Sequence, residues 1–103
     1  MILTDHEDTG LLTIAGSLDI SDAEALRDAL RAHVRCYPAP LLDLAGVEGC
    51  DAAVLQLLWS AQQTAAHANK QLRIAAWSEA IRQTGAALGI TFEELEGNHV
   101  SGL

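Results

Sequence analysis

Short apolar segments alternate with stretches of helical periodicity along the chain, and this alternation restricts the fold more than any other sequence feature. Leucine-rich segments begin at positions 11, 41 and 72, and each precedes a stretch with the three- and four-residue apolar spacing of an amphipathic helix. Strands separated by helices favour parallel pairing through crossover connections. The pattern therefore predicts a layered α/β domain.

Four segments have the composition of strands. Residues 2–6 and 11–16 flank a Thr9-Gly10 turn and predict an antiparallel hairpin, while residues 41–45 and 72–77 predict buried strands. A turn is predicted at residues 46–49, and a last short strand at residues 90–92 would precede an acidic end. We expect a mixed sheet of four or five strands flanked by helices.

Three helices are marked by residues typical of helix ends. The first is predicted to start near Asp22 with a capping box formed by Ser21 and Glu24. The second is predicted from a cap at Asp51 to about residue 69, and the third from Ser78 to a C-terminal glycine at position 89.

Size and charge exclude several classes of protein. The 103 residues correspond to one domain, spanning residues 1–103. A net charge of −8 with six Lys and Arg residues disfavours nucleic-acid binding. The apolar runs are shorter than the roughly 20 residues of a transmembrane helix, and the acidic N-terminus lacks the features of a secretory signal. We therefore expect a cytoplasmic protein without membrane insertion, with both cysteines reduced.

The sequence gives little support for catalysis. Neither of the common glycine-rich phosphate-binding motifs occurs, and the four histidines are dispersed. The spacing His33-x-x-Cys36 offers two ligands where a structural zinc site needs four, so we expect a solvated His33 near a helix end and neither metal nor cofactor. Cys50 at a helix start is the best candidate nucleophile, although the adjacent Asp51 disfavours its thiolate.

The segment around Asp51 carries a family resemblance. Residues 43–47 read DLAGV and residues 51–55 read DAAVL, where STAS domains of anti-sigma factor antagonists have D-L-[SAG]-G-V followed by D-S-[ST]-G-L. Residues 16–19 read GSLD, similar to the family's G-x-L-D before its first helix, and the resemblance extends over nearly the whole chain. The chain resembles a STAS domain, which implies an α/β fold and a regulatory protein-binding role.

The resemblance also implies a missing switch. The antagonists carry their phosphorylated serine directly after the motif aspartate, and here that position is Ala52, followed by Ala53. The expected function is a constitutive binder of a protein partner such as an anti-sigma factor kinase. A STAS component of a lipid-transport ABC assembly or of a chemotaxis-linked signalling complex is one alternative, and a small Cys50-dependent enzyme or redox protein is another.

Helical geometry divides the second helix into two predicted faces. At about 100° per residue, the inward face comprises Val54, Leu57, Leu58, Ala61, Ala65 and Ala68. The adjacent face is half apolar and uncharged, and comprises Ala52, Leu55, Gln56, Trp59, Gln63 and Ala66. The predicted partner-binding residues are Asp51, Ala52, Leu55, Gln56, Trp59 and Gln63. Trp59 is interpreted either as a partner anchor or as packed on a neighbouring helix.

Overall fold

The computed structural model describes residues 1–89 and shows an α/β domain with a four-stranded sheet and three α-helices. The strands are β1 (Ile2–His6), β2 (Leu11–Ser17), β3 (Leu41–Gly49) and β4 (Arg73–Ala76). The helices are α1 (Ala23–Cys36), α2 (Ala52–His67) and α3 (Glu79–Leu88), with a short 3₁₀ helix, Ile20–Asp22, before α1. The strand predicted at residues 90–92 and the acidic end lie outside the described residues.

The sheet is mixed, as predicted. Its strand order is β1-β2-β3-β4, with β1 antiparallel to β2 and the other two pairs parallel. Both crossovers, β2-α1-β3 and β3-α2-β4, lead to the next strand in the same direction. Crossovers of the same hand that step in one direction place both helices on one face of the sheet, and α1 and α2 contact each other there.

The core lies between this helical layer and the sheet. Leu12 and Ile14 of β2 and Leu42 and Leu44 of β3 are buried, whereas the residue between each pair is only partly buried. This alternation follows from the two-residue period of a strand. The helices complete the core with Leu26, Leu30, Val34, Val54, Leu55, Leu58, Ala61, Ala65 and Ile81. Among residues 1–89, no helix is long and apolar enough to cross a membrane.

The turn predicted at residues 46–49 is wrong, because β3 continues through it. Val47 and Gly49 pair with Gly16 and Ser17 of β2, and Val47 is 2% exposed. The pairing shifts register between Asp43 and Gly46 and again between Val47 and Gly49. A Cβ at Gly46 would lie 2.9 Å from the Cβ of Ala15, so glycine permits the close approach of the two strands. The glycines mark an irregular strand pairing and not a chain reversal.

The helix ends confirm two of the three predicted caps. The Asp51 carboxylate accepts a hydrogen bond from the Val54 amide at 3.2 Å, and the Ser78 hydroxyl accepts one from the Ile81 amide at 3.2 Å. Gly89 ends α3 in the left-handed conformation, with φ +74°. These are the side-chain and glycine caps that helix termini favour.

The capping box predicted for Ser21 and Glu24 is wrong. Asp19 caps the 3₁₀ helix instead: its carboxylate accepts from the Ser21 amide at 2.9 Å, and Asp22 accepts from the Asp19 amide at 3.0 Å. The Ser21 hydroxyl donates to Asp19, and α1 starts at Ala23 without a side-chain cap. An ionised carboxylate two residues earlier is the stronger acceptor, and it draws the hydroxyl away from the α1 amides.

His33 is also placed differently from the prediction of a solvated side chain. It is 5% exposed, and its Nε2 donates to the Leu41 carbonyl at 3.0 Å. The imidazole also contacts the Tyr37 ring, with 4.9 Å between ring centroids. His33 therefore joins the last turn of α1 to the first residue of β3.

Candidate interaction site

The N-terminus of α2 lies where β2 and β3 end. The Leu18 amide donates to the Gly49 carbonyl at 2.8 Å, which holds the two strand ends together immediately before Asp51. Asp51 caps α2, and Ala52, the first residue of the helix, is exposed. The predicted switch position is thus at the surface, on the rigid first turn of a helix.

One uncharged row of side chains runs from this position along the outside of α2. Ala52, Gln56, Trp59, Gln63 and Ala66 follow one another at steps of four and three residues, and all five are exposed. We call this row the α2 outer stripe. Trp59 keeps 51% of its surface exposed, so half of the indole remains available although it is one of the largest apolar side chains. Exposed aromatic residues of this kind are frequent at protein interfaces.

The predicted faces of α2 need correction at three positions. Leu55, placed with the partner-binding residues, is fully buried, whereas Ala68, placed inward, is exposed beyond the helix end. Gln62 belonged to neither set, yet it is 5% exposed and its amide donates to the Leu72 carbonyl at 2.8 Å. Contacts of α2 with both α1 and α3 widen its buried face. In the sequence, the seven-residue spacing of Leu55 and Gln62 was the available signal that both side chains lie on the same side of α2.

The absence of charge separates α2 from the other helices. None of its 16 residues is Asp, Glu, Lys or Arg, although the chain has 14 acidic residues. The exposed face of α1, by contrast, carries charges of both signs, at Glu24, Arg27, Asp28, Arg31 and Arg35. A solvated helix face usually carries charged residues, so the α2 outer stripe has the composition of a surface that meets another protein.

Cys50 lies next to this site but is poorly suited to act as a nucleophile. Burial raises the pKa of the Cys50 thiol above its usual value; a hydrogen bond with Thr84 lowers it in part, and the Asp51 charge raises it further. The Cys50 carbonyl accepts from the Thr84 hydroxyl at 3.3 Å, which ties this segment to α3. Within residues 1–89, no three His, Cys, Asp or Glu side chains are arranged to hold a metal ion.

Thiol titration tests the alternative of a reactive Cys50. At neutral pH we expect Cys50 in the Cys36→Ser variant to react with a disulfide reagent at least about tenfold more slowly than the exposed Cys36 in the Cys50→Ser variant. The rate at Cys50 should rise only at a pH above the ordinary thiol range, because burial disfavours its thiolate. Faster reaction at Cys50 than at Cys36 would support the enzyme or redox alternative.

Comparison with known proteins identifies the family. The family model described as "Mlab, STAS domain" matches residues 2–92, which is most of the chain. The chain belongs to the STAS family. Solved structures that are similar include a candidate anti-sigma factor antagonist from Thermotoga maritima, with 12% identity and a TM-score of 0.65 over 85% of this chain and 77% of that chain. A search of curated proteins gave no match.

The similarity to the Thermotoga maritima structure concerns the fold, since sequence identity is only 12%. The similarity therefore does not identify the partner of this STAS domain. Five of the six predicted site residues, Asp51, Ala52, Gln56, Trp59 and Gln63, lie at the start or along the outside of α2. They form one connected candidate site without Leu55.

Proposed function

We propose that this STAS domain is a regulatory protein-binding module whose partner, an anti-sigma factor kinase, contacts Asp51 and the α2 outer stripe. The observation that carries the proposal is an exposed, uncharged helix face with a half-exposed tryptophan in a protein of net charge −8. This face starts at Ala52. The anti-sigma factor antagonists, which the chain resembles, carry their regulatory serine at this position. Binding and regulation would thus use the same turn of the helix.

Constitutive binding follows from the chemistry at this turn. A phosphorylated serine would bring a charge of about −1.5 to −2 onto the α2 outer stripe, which carries none, and a partner matched to that stripe would lose contact and have to desolvate the phosphate. Ala52 is exposed and Ala53 is partly buried, and neither side chain accepts a phosphoryl group. Phosphorylation at these two positions therefore cannot block the binding of the partner.

The alternatives differ mainly in the identity of the partner. A lipid-transport ABC component or a chemotaxis-linked protein would use the same α2 surface, so identification of the captured protein distinguishes these readings. The raised pKa of the Cys50 thiol argues against a cysteine enzyme, because the thiolate is the reactive form of the side chain.

Charge introduced at Ala52 tests the binding surface. Ala52→Glu is expected to reduce capture of the partner from a native lysate by about tenfold or more, since it places an unpaired carboxylate in an apolar contact. The matched control is Ala25→Glu, which adds the same charge at another exposed alanine in the first turn of a helix. Trp59→Ala should reduce capture similarly, as the loss of an aromatic anchor does.

Captured proteins are compared by quantitative mass spectrometry, and far-UV circular dichroism checks that each variant is folded. Full capture by folded Ala52→Glu and Trp59→Ala variants would show that the surface is wrongly assigned. Unfolding of Trp59→Ala would indicate that the indole is a structural contact between helices. A captured ABC or chemotaxis component in place of a kinase would replace the proposed partner.

Phosphorylation by a purified anti-sigma factor kinase tests the missing switch. With labelled ATP we expect no label on the unaltered protein and clear label on Ala52→Ser, which restores a hydroxyl at the exposed first residue of α2. Label mapped to Ser17 or Ser60 in the unaltered protein would show that the switch has moved. Ser21 is a poor acceptor because its hydroxyl is bonded to Asp19. Label on neither protein would count against a kinase partner.

A further inference from the structure

The α2 outer stripe has the same order of side chains in both directions. From Ala52 to Ala66 it reads Ala, Gln, Trp, Gln, Ala, with Trp59 seven residues from each end. All five side chains are exposed, and the two glutamines lie three and four residues from the tryptophan. The stripe is therefore nearly symmetric about Trp59.

A symmetric stripe fits a second copy of itself related by a two-fold axis. In a two-fold dimer the same patch is used by both subunits, so the patch must be complementary to itself. If two α2 helices lie antiparallel with the axis at Trp59, Ala52 faces Ala66 of the second copy and Gln56 faces Gln63 of the second copy. Contact residues spaced by four and three positions are typical of helix pairs that cross at about 20°.

Each contact in this arrangement is chemically acceptable. The two indoles meet at the axis, where aromatic pairs are favourable. Glutamine amides carry both donors and acceptors, so Gln56 and Gln63 can pair across the interface. The alanines lie about 10 Å along the helix from the indoles, and they add little bulk at the two ends of the contact.

Charge favours this helix over the other two for self-association. Two copies, each of net charge −8, repel one another, and an uncharged contact surface adds no further repulsion between neighbouring side chains. α1 exposes charges of both signs and α3 exposes Glu79 and Arg82, whereas α2 contains no Asp, Glu, Lys or Arg. Among the three described helices, α2 alone can meet its own copy without an Asp, Glu, Lys or Arg of its own in the contact.

We propose that two copies of this chain form a weak, reversible, antiparallel dimer through the α2 outer stripe. A helix of 16 residues is about 24 Å long, so contact along a single stripe buries less than the roughly 1,200–2,000 Å² of a stable complex. The dimer therefore dissociates readily. Because it covers Ala52 and Trp59, it competes with any other protein that uses this face, and the proposal does not depend on the partner's identity.

Sedimentation velocity of the purified chain, from about 10 µM to 1 mM, tests self-association directly. The unaltered protein is expected to shift from monomer to dimer within this range. The double variant Gln56→Glu/Gln63→Glu should dimerise at least about tenfold more weakly, because each introduced carboxylate faces another. The matched control, Ala25→Glu/Ala32→Glu, adds the same charge at the same seven-residue spacing on exposed positions of α1. It should dimerise like the unaltered protein apart from the general effect of added charge.

Replacement of Gln56 and Gln63 by charged residues tests the antiparallel register. A mixture of Gln56→Glu/Gln63→Glu with Gln56→Lys/Gln63→Lys should form heterodimers, although each variant alone stays monomeric. The single chain Gln56→Glu/Gln63→Lys should form homodimers, since opposite charges then meet twice across the axis; a parallel pair would oppose like charges and dissociate.

A monomer at 1 mM, or equal dimerisation of the unaltered protein and Gln56→Glu/Gln63→Glu, would overturn the proposal. Dissociation of Gln56→Glu/Gln63→Lys would overturn the antiparallel register. These measurements contain no partner protein, so their failure leaves the proposed function unaffected. Equally, loss of partner capture by Ala52→Glu says nothing about self-association of the unaltered chain.

Discussion

Leu58→Ala is expected to lower the free energy of unfolding by about 2–5 kcal/mol, as large-to-small substitutions in a core do. Leu58 is 2% exposed and belongs to the cluster between α2 and the sheet. Removal of its isobutyl group leaves a cavity that neighbours on regular elements fill only in part. A domain of this size has about 5–15 kcal/mol of stability in total, so chemical denaturation should show a clearly lower midpoint.

Leu57 provides the control for this prediction, since it has the same side chain one position earlier. It is partly buried and lines the groove between α1 and α2. Leu57→Ala should therefore cost less than Leu58→Ala, below about 2 kcal/mol. A larger loss at Leu57, or less than about 0.5 kcal/mol at Leu58, would show that the inward face of α2 is wrongly assigned.

The sheet and the helices could be predicted because their signals are local. Strands β1 and β2 flank a turn that contains Gly10, with φ +70°, and the caps at Asp51 and Ser78 act within three residues of themselves. Strand-helix alternation then gives the mixed sheet through general rules of connection. The fold class and the second and third helix starts therefore follow from short-range chemistry.

The errors arise where distant segments meet. Gly46 and Gly49 look like turn residues in sequence, yet pairing with β2 extends β3 through both of them. Leu55 was predicted on the partner-binding face and Gln62 on neither face, but α2 contacts α3 as well as α1, and the Leu72 carbonyl accepts from the Gln62 amide. Apolar periodicity alone does not reveal how wide the buried face of a helix is.

Most of the candidate site could be predicted because no distant segment among residues 1–89 packs on it. Ala52, Gln56, Trp59 and Gln63 are exposed because nothing within the described chain covers the outside of α2, and the stripe is visible in sequence as a 16-residue helix without a charged residue. Helical spacing placed four of these side chains together correctly. The dimer proposed above uses the same observation in a different way, through the symmetry of the stripe about Trp59.

His33→Ala is expected to lower the free energy of unfolding by about 2–4 kcal/mol, although histidine has only an intermediate tendency to be buried. Two losses add: a cavity at a position that is 5% exposed, and the hydrogen bond from Nε2 to the Leu41 carbonyl, which measures 3.0 Å. That bond joins the end of α1 to the start of β3, at the place where residues 37–40 leave the helix.

His33→Gln should recover part of the loss, because the glutamine amide presents an N–H donor at a similar distance from the backbone. The exposed His67, in the last turn of α2, gives the matched control, and His67→Ala should cost less than about 1 kcal/mol. Urea denaturation of the three variants provides the comparison. Equal losses for His33→Ala and His67→Ala would mean that the imidazole of His33 is solvated after all, whereas a full loss in His33→Gln would assign its contribution to packing and not to the bond with Leu41.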